Sequence, residues 1–241
     1  MALYTIADLH LSIAHPEKSM GVFGAKWDHY EEKLKEKWSH VVSKEDTVII
    51  PGDISWASAL SDSAADFAFL DALPGQKLIG KGNHDFWWST ASKVNAFWKE
   101  HGFDTLHILY NNAFLIEERI ICGTRGWFFD EKSQNTVSKT DFEKLCNREY
   151  LRLQHSLEEG VKLRALCGKD LPIYVFLHFP PIWGDEKCED LLSLLEAYSV
   201  SRCFFGHIHG FYKQPIVREY HGIKMELISS DHLSFCPLLV R

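Results

Sequence analysis

Short apolar segments alternate with amphipathic segments over the first hundred residues of the chain. Strands are predicted where a short apolar run ends at a turn signal, at 2–7, 46–50 and 76–80. Helices are predicted where apolar residues recur at helical spacing among charges, at 26–42, 57–73 and 89–101. This alternation is typical of parallel βαβ units, so the sequence predicts an α/β sheet.

The pattern changes after residue 104. Short strands joined by turns at Asn111-Asn112 and Glu117-Glu118 are predicted at 106–109, 113–116 and 119–123. A long helix is predicted over 141–167, with Thr140 and Glu143 as a capping box and Gly168 just after its end. A helix is predicted at 188–198, and further strands at 172–178, 202–205, 214–219 and 223–229. We expect a single domain over 1–241, with an elaborated middle segment at about 102–170.

Composition and charge narrow the class of protein. The chain has 241 residues, 46% of them hydrophobic, and a net charge of −7, which is typical of a globular protein and unfavourable for binding nucleic acid. The six cysteines contain no C-x-x-C pair, and the amino terminus has neither a basic signal region nor an uninterrupted apolar span. We therefore expect reduced thiols, a cytoplasmic location and no membrane partner.

Polar clusters follow five of the predicted strands. They are Asp8-Leu9-His10, Gly52-Asp53, Gly82-Asn83-His84-Asp85, His178 and Gly206-His207-Ile208-His209. Ligands bind outside the carboxyl ends of strands in open α/β sheets, so we expect these side chains to meet at one edge. Residues two apart on an extended segment point the same way, which would let Asp8 converge with His10, and His207 with His209.

Two of the clusters are too rare to be expected by chance in a chain of this composition. From the composition, a D-x-H triplet is expected about 0.8 times by chance, whereas G-H-x-H is expected ~0.04 times and G-N-H-D ~0.001 times. Asp8-x-His10 is therefore uninformative alone, but its order with the two rare clusters is strong evidence for a functional site. Oxygen and nitrogen donors without thiolate suit Mn, Fe or Zn at an open site.

The five clusters, in this order, resemble the calcineurin-like metallophosphoesterase superfamily over residues 8–209. The resemblance implies a four-layer α/β/β/α sandwich of two mixed sheets, with a two-metal active site at the carboxyl edge of the strands. It also implies the roles of the site residues. Asp8, His10 and His209 would bind the first metal, Asn83, His178 and His207 the second, Asp53 would bridge both, and His84 would be a catalytic non-ligand oriented by Asp85.

The implied function is hydrolysis of phosphoric esters, either monoesters or diesters, by a metal-bridging hydroxide. Two divalent ions lower the pKa of a bound water and clamp the attacking and leaving oxygens, and His84 can protonate the leaving group. The expected partner is a phosphorylated small molecule. Gly52-Asp53-Ile54-Ser55-Trp56 departs from the G-D-x-V-D-R-G of protein phosphatases, so that activity is the weaker alternative. A catalytically silent scaffold that retains the fold is the other.

Several residues near the clusters have two interpretations. Trp87 and Trp88 either form an aromatic rim for substrate or cover the sheet edge, and Arg125 either reaches a substrate phosphate or is an ordinary surface arginine. The loop 12–25 is either a lid or a connector. Cys146 and Arg152 match the C-x5-R spacing of cysteine phosphatases, but no glycine-rich loop surrounds them and the segment is predicted to be helical, so we reject that chemistry.

Overall fold

The computed structural model describes residues 1–127, 139–211 and 217–241. The helices in these ranges are α1 (Tyr30–Val41), α2 (Ala64–Ala72), α3 (Ala91–His101), α4 (Lys139–Cys167) and α5 (Glu189–Ala197). The strands are β1 (Leu3–Thr5), β2 (Thr47–Ile50), β3 (Gln76–Ile79), β4 (Leu106–Ile108), β5 (Ala113–Ile116), β6 (Arg119–Thr124), β7 (Ile173–Leu177), β8 (Ile182–Trp183), β9 (Glu186–Lys187), β10 (Val200–Phe205), β11 (Val217–Tyr220), β12 (Ile223–Leu227) and β13 (Leu238–Leu239).

The larger strands form two mixed sheets. The first sheet has the order β13-β1-β2-β3-β4, in which β1 to β4 are parallel and β13 is antiparallel to β1. The second has the order β11-β12-β10-β7-β6-β5, with parallel strands in the centre and an antiparallel strand at each edge. The carboxyl ends of the central strands of each sheet therefore lie along a single edge of that sheet.

Three apolar layers hold four layers of secondary structure together. One apolar layer packs α1, α2 and α3 on the first sheet, another packs α4 and α5 on the second, and the third lies between the sheets. Successive residues of a strand point to opposite faces of the sheet and so pack into different apolar layers. In β10, Phe204 lies in the middle layer and stacks on Phe176 at 4.8 Å, while Phe205 lies in the layer that packs the helices on the second sheet. The central strands β2 and β7 are buried on both faces, so they read as nearly continuous apolar runs. The predicted α/β/β/α sandwich of two mixed sheets is confirmed.

The predicted elements are present within the described residues, with shifted ends. The helix predicted at 57–73 is a short 3-10 turn, Leu60–Ser63, followed by α2. The capping box is wrong, because Thr140 already lies inside α4. Gly168 does follow α4 in the left-handed conformation, with φ +64°. Residues 214–216 of a predicted strand lie outside the described residues. None of the described helices combines the length and apolar character that crossing a membrane requires.

The loop 12–25 is built from successive 3-10 turns, Pro16–Lys18, Met20–Phe23 and Ala25–Trp27. Its beginning is anchored on α2, where Asp66 Oδ1 accepts a hydrogen bond from the backbone nitrogen of Ile13 at 2.8 Å. The Lys18 ammonium donates to the carbonyl oxygen of Trp56 at 3.0 Å and to Ser58 Oγ at 2.9 Å. These contacts hold the loop against the segment that follows β2.

Candidate metal centre

The polar clusters lie where strands of both sheets end. Asp8, Asp53 and Asn83 follow β1, β2 and β3, which are adjacent and parallel. His178 follows β7 directly, and His207 follows β10, its parallel neighbour in the second sheet. The two sets of strand ends face each other across the middle apolar layer, so seven side chains from distant parts of the chain converge.

One group of donors consists of Asp8, His10 and His209. One ligand atom from each lies within 4.8 Å of the others. The Nε2 atoms of His10 and His209 are 3.3 Å apart, and Asp8 and His10 are almost completely buried. These are the residues that the resemblance assigns to the first metal.

The second group combines Asp8, Asp53 and His178, whose ligand atoms lie within 4.8 Å of one another, with the side-chain oxygen of Asn83. Asn83 Oδ1 lies 2.6 Å from His178 Nε2 and 3.1 Å from His207 Nδ1. Asp53 Oδ2 lies 3.6 Å from His178 Nε2 and also 3.5 Å from His10 Nε2. The carboxylate of Asp53 therefore stands between the two groups of nitrogen donors, where the resemblance places a bridging ligand.

Glycines in the clusters allow these loops to touch. A Cβ on Gly82 would lie 2.0 Å from Asp53 Oδ1, and one on Gly206 would lie 2.6 Å from Asp8 Oδ2. Gly52 has φ +105°, and a Cβ there would lie 2.4 Å from the backbone nitrogen of Gly82. Any side chain at these positions would displace a carboxylate or a neighbouring loop. The close packing of the loops therefore explains why glycine occupies these positions in the clusters.

The backbone of the site is left-handed at four predicted ligands, and for three of them, Asp8, His10 and His207, the expectation of an extended segment is wrong. The φ angles are +58° at Asp8, +46° at His10, +51° at Asp53 and +69° at His207. Such conformations are costly for non-glycine residues and persist where surrounding contacts impose them. Here the backbone nitrogen of His10 donates to the carbonyl of Asp53 at 2.9 Å, and that of Asp8 donates to the carbonyl of Gly52 at 3.1 Å.

Asp85 has a different role from the one predicted. Its carboxylate accepts hydrogen bonds from the backbone nitrogens of Gly82 at 2.7 Å, Asp53 at 2.9 Å and Ile54 at 2.8 Å, and from Trp87 Nε1 at 2.8 Å. The His84 ring is not among its described partners, so the expectation that Asp85 orients that ring is wrong. The buried carboxylate instead ties together the two loops that carry Asp53 and the Gly82 cluster.

Asp231 is a site residue that the sequence analysis missed. Its Oδ1 lies 2.9 Å from His209 Nδ1, and its Oδ2 accepts a hydrogen bond from the backbone nitrogen of Gly210 at 3.0 Å. This contact fixes the His209 ring so that Nε2 faces His10. The neighbouring Ser230 donates from Oγ to the carbonyl of Asp8 at 2.6 Å. Both residues follow β12, so the strand-end rule that found the other clusters would have found this one.

His84 lies beside the donor groups. Its backbone nitrogen donates to Asp53 Oδ1 at 2.8 Å, and its ring centre lies 5.7 Å from that of His10 and 4.7 Å from that of Trp56. The ring lines a cavity of about 440 Å³ that His10 and His209 also line. Trp56, which stacks on His10 at 4.9 Å, is a second residue that the sequence analysis did not single out.

The buried carboxylates resist ionisation. Burial raises the pKa of Asp8 to about 6, although the electrostatic interaction with His209 and the hydrogen bond from the His207 backbone oppose the rise. Burial, together with the negative charges of Asp85 and Asp8, raises the pKa of Asp53 well above its ordinary value. Three carboxylates so close together need compensating positive charge.

The imidazoles of His10, His178 and His207 do not supply that positive charge. Burial and neighbouring imidazoles hold the pKa values of His10 and His178 well below normal and lower that of His207 to about 4. Burial lowers the pKa of His209, but the hydrogen bond with Asp231 and the negative charges of Asp8 and Asp231 outweigh burial, so its pKa is raised. Neutral imidazoles offer lone pairs, and the buried Oδ1 of Asp8 has no hydrogen-bond partner in the described structure. Divalent cations fit this donor set and would balance its charge.

Of the proposed substrate contacts, the two tryptophans belong to the core. Trp87 is fully buried, packs edge-on against Phe67 and donates to Asp85, so its interpretation as an exposed rim is wrong. Trp88 is half-buried and packs against Trp87 at 5.2 Å and Tyr110 at 5.3 Å. The exposed aromatic residue in this segment is Phe86, which is 64% exposed.

Arg125 is not an ordinary surface arginine. Its side chain is only 15% exposed, its guanidinium pairs with Glu149 at 3.2 Å, and it lies over the Trp127 ring. Its carbonyl oxygen accepts a hydrogen bond from the backbone nitrogen of His178 at 3.0 Å. Arg125 therefore supports the strand end that carries His178, and contact with a substrate phosphate stays a prediction.

The rejection of cysteine-phosphatase chemistry is confirmed. Cys146 lies inside α4, and burial, with the charges of Cys188 and Asp190, raises the pKa of its thiol to about 12. A nucleophilic cysteine needs the opposite shift.

Comparisons with known proteins agree with the fold. A family model described as calcineurin-like phosphoesterase matches residues 1–211. The structure of phosphopantetheinyl hydrolase (PptH) from Mycobacterium tuberculosis is similar, with a TM-score of 0.54 and 14% identity over 99% of this chain and 95% of that chain. The protein TT1561 of Thermus thermophilus is similar with a TM-score of 0.57 and 10% identity over 99% and 97% of the two chains. No curated protein matches the sequence. At such identities the two structures show a shared fold alone.

Proposed function

The chain belongs to the calcineurin-like phosphoesterase family, and from this premise we propose that it hydrolyses phosphoric esters, monoesters or diesters, with two divalent metal ions. The observation that carries the proposal is the position of Asp53. Its Oδ2 lies 3.5 Å from His10 Nε2 and 3.6 Å from His178 Nε2, and these two nitrogens belong to different donor groups. One carboxylate within reach of two donor groups is what a bridged pair of ions requires.

The donor set divides between the two ions. Asp8, His10 and His209 would hold the first ion, Asn83, His178 and His207 would hold the second, and Asp53 would bridge them. All donors are oxygen or nitrogen, which suits Mn, Fe or Zn. Asp231 acts as a positioning residue, because it fixes the ring orientation of His209.

When bound, the two ions supply Lewis-acid stabilisation of the phosphoryl oxygens and a nucleophilic water whose pKa lies near ~7. The protein provides the proton for the leaving group from the ring of His84, which faces the same cavity as His10 and His209. The hydrogen bond from the His84 backbone to Asp53 Oδ1 at 2.8 Å fixes the distance between this acid and the bridging carboxylate. The substrate is a phosphorylated small molecule that enters through this cavity.

The test is metal depletion and reconstitution. The protein is dialysed against a chelator, Mn²⁺ is returned, bound metal is measured by elemental analysis, and hydrolysis of p-nitrophenyl phosphate and bis(p-nitrophenyl) phosphate is followed. We expect two ions per chain and hydrolysis of at least one ester. A chain that binds both ions and hydrolyses neither ester would instead be a scaffold that retains the fold.

The His84→Ala variant tests the proton donor. We expect it to keep both ions and to lose about 10²–10⁴-fold in kcat, the usual contribution of a general acid. His155→Ala, which removes an exposed histidine from α4, is the matched control and should retain activity. An unchanged kcat of His84→Ala on an ester with a poor leaving group would remove this residue from the mechanism.

A further inference from the structure

The cavity at the metal centre has both polar and apolar lining residues. His10, His84 and His209 line it together with an apolar and aromatic wall, which consists of Met20, Phe23, Trp27 and Trp56. Its volume of about 440 Å³ is within the usual range for small-molecule sites. A phosphoryl group at the metal donors would leave its organic substituent against the aromatic wall.

A second cavity continues this wall outward. It has a volume of about 370 Å³, and it shares Phe23 and Trp56 with the first cavity and adds Phe86 and Ser58. Lys18 also lines it, but the ammonium donates hydrogen bonds to the Trp56 carbonyl and Ser58 Oγ. The two cavities are therefore adjacent and together form one cleft, whose lining includes the histidines, Phe23, Trp56 and Phe86.

Large apolar side chains are exposed at the mouth of this cleft. Phe23 is 68% exposed and Phe86 is 64% exposed, and both line the second cavity. Phe86 lies beside His84, with ring centres 6.2 Å apart. Contiguous exposed apolar surface rimmed by polar residues marks ligand-binding grooves. Their position beside His84 indicates a ligand that spans both the metal centre and the aromatic walls.

Contacts within the protein hold the Trp56 ring and the loop that carries Phe23 in place. The loop that carries Phe23 is fixed at its start by the hydrogen bond from Ile13 to Asp66 and in its middle by the Lys18 contacts with the Trp56 segment. Trp56 stacks on His10 with an angle of 23° between the rings. A cleft with preformed walls loses little entropy when it binds a planar group.

We propose that Phe23, Trp56 and Phe86 form a binding site for an aromatic substituent of the phosphoester, so that the enzyme selects aryl-substituted over small alkyl phosphoesters. This inference rests on the proposed function for the position of the phosphoryl group, and it adds the class of the organic group. Aromatic side chains prefer offset or edge-on contacts with other rings, which a small alkyl group cannot make. The ligand is a single phosphoester molecule in free solution.

The experiment compares two stable phosphonates, phenylphosphonate and methylphosphonate, which bind without being hydrolysed. Their affinities for the Mn²⁺-loaded protein are measured by calorimetry. We expect phenylphosphonate to bind at least about tenfold more tightly, given the apolar area of a buried ring. Phe86→Ser and Phe23→Ser should each lower this preference severalfold. Leu166→Ser, which changes an apolar residue 85% exposed on α4, is the matched control and should keep the preference.

The outcomes separate this inference from the proposed function. Equal affinities of the wild type for the two phosphonates, or a preference that survives both phenylalanine variants, overturn the aromatic site. A preference for phenylphosphonate in a protein that hydrolyses no ester supports the aromatic site and overturns only the proposed function. Co-sedimentation with phosphatidylcholine vesicles that Phe23→Ser abolishes would overturn the inference in favour of a membrane surface.

Discussion

The carboxylate of Asp85 lends itself to a quantitative test, because its contacts are short, buried and local. The variant Asp85→Asn keeps the shape of the side chain and one acceptor oxygen but replaces the other oxygen with an NH₂ group. Each carboxylate oxygen accepts two short hydrogen bonds, so two donors lose their acceptor whichever oxygen is replaced. The oxygens serve Gly82 and Asp53 on one side, and Ile54 and Trp87 on the other.

The magnitude follows from these contacts. A hydrogen bond to a charged group contributes about 1.5–3 kcal/mol, so two lost bonds amount to roughly 3–6 kcal/mol. The substitution also relieves repulsion, since the charge of Asp85 raises the pKa of Asp53. We therefore expect the metal-free variant to lose about 3 kcal/mol of unfolding free energy, the lower end of that range and a large fraction of the 5–15 kcal/mol typical of a protein.

The assay is urea unfolding of metal-free protein followed by circular dichroism. With an m-value of about 3 kcal/mol/M, the midpoint should fall by roughly 1 M without a change in slope. Asp62→Asn, at an exposed aspartate of the turn before α2, is the control and should move the free energy by at most about 0.5 kcal/mol. A loss below about 1 kcal/mol for Asp85→Asn would refute the reasoning, because the buried bonds would then contribute no more than ordinary surface contacts.

Three further predictions follow from the site and the core. Gly206→Ala should displace the Asp8 carboxylate, since the added Cβ would lie 2.6 Å from Oδ2, and weaken Mn²⁺ binding in a calorimetric titration. Asp231→Asn should weaken Mn²⁺ binding about 10–100-fold, the usual effect of losing the group that orients a histidine ligand, here His209. Burial lowers the pKa of Lys77 from 10.5 to about 8, so the unfolded chain binds more protons between these values. The stability of wild type relative to Lys77→Met should therefore rise with pH across that window, by at most about 1.4 kcal/mol per pH unit.

Each of these predictions has its own contrary outcome. Gly21→Ala is the control for the glycine variant, because a Cβ there meets nothing closer than 3.7 Å; equal metal affinities of the two variants would contradict the steric argument. Wild-type affinity in Asp231→Asn would show that the ring of His209 is held by other contacts. A pH-independent stability difference for Lys77→Met would mean that the buried ammonium keeps its ordinary pKa in the folded protein.

Much of the architecture could be predicted because burial leaves a clear pattern. Strand β7 is buried along its whole length and reads as an apolar run, and His178 follows it directly at the site. The end of β10, Cys203-Phe204-Phe205, is also buried, and the Gly206 cluster follows it. The two-residue strands β8, β9 and β13 are too short to produce any periodicity. The limits of α4 were harder to predict, because Thr140 matches a capping pattern by composition although it lies within the helix.

The detailed geometry of the site depended on contacts that no local pattern contains. The sequence placed Asp85 in a rare cluster, but the direction of its carboxylate is set by backbone nitrogens of a loop about thirty residues away. The left-handed backbone at Asp8 and His207 likewise accompanies a contact between loops of different sheets, in which the backbone nitrogen of His207 donates to Asp8 Oδ2 at 2.8 Å. Asp231 offered only the strand-end signal of its place after β12, and its contact with His209 Nδ1 could not be predicted from the segment 229–232 itself.

The division of the donors between the two sheets has a mechanical consequence. Asp8 and Asp53 extend from one sheet and His178 and His207 from the other, with an apolar layer behind them. Two metal ions bound there would link the two sheets at one end of the middle apolar layer. They would resist sliding of one sheet against the other without strengthening the hydrogen bonds inside either sheet. Metal binding would therefore slow amide hydrogen exchange in the residues between the two sheets, and it would leave the fraying of the outer helices unchanged.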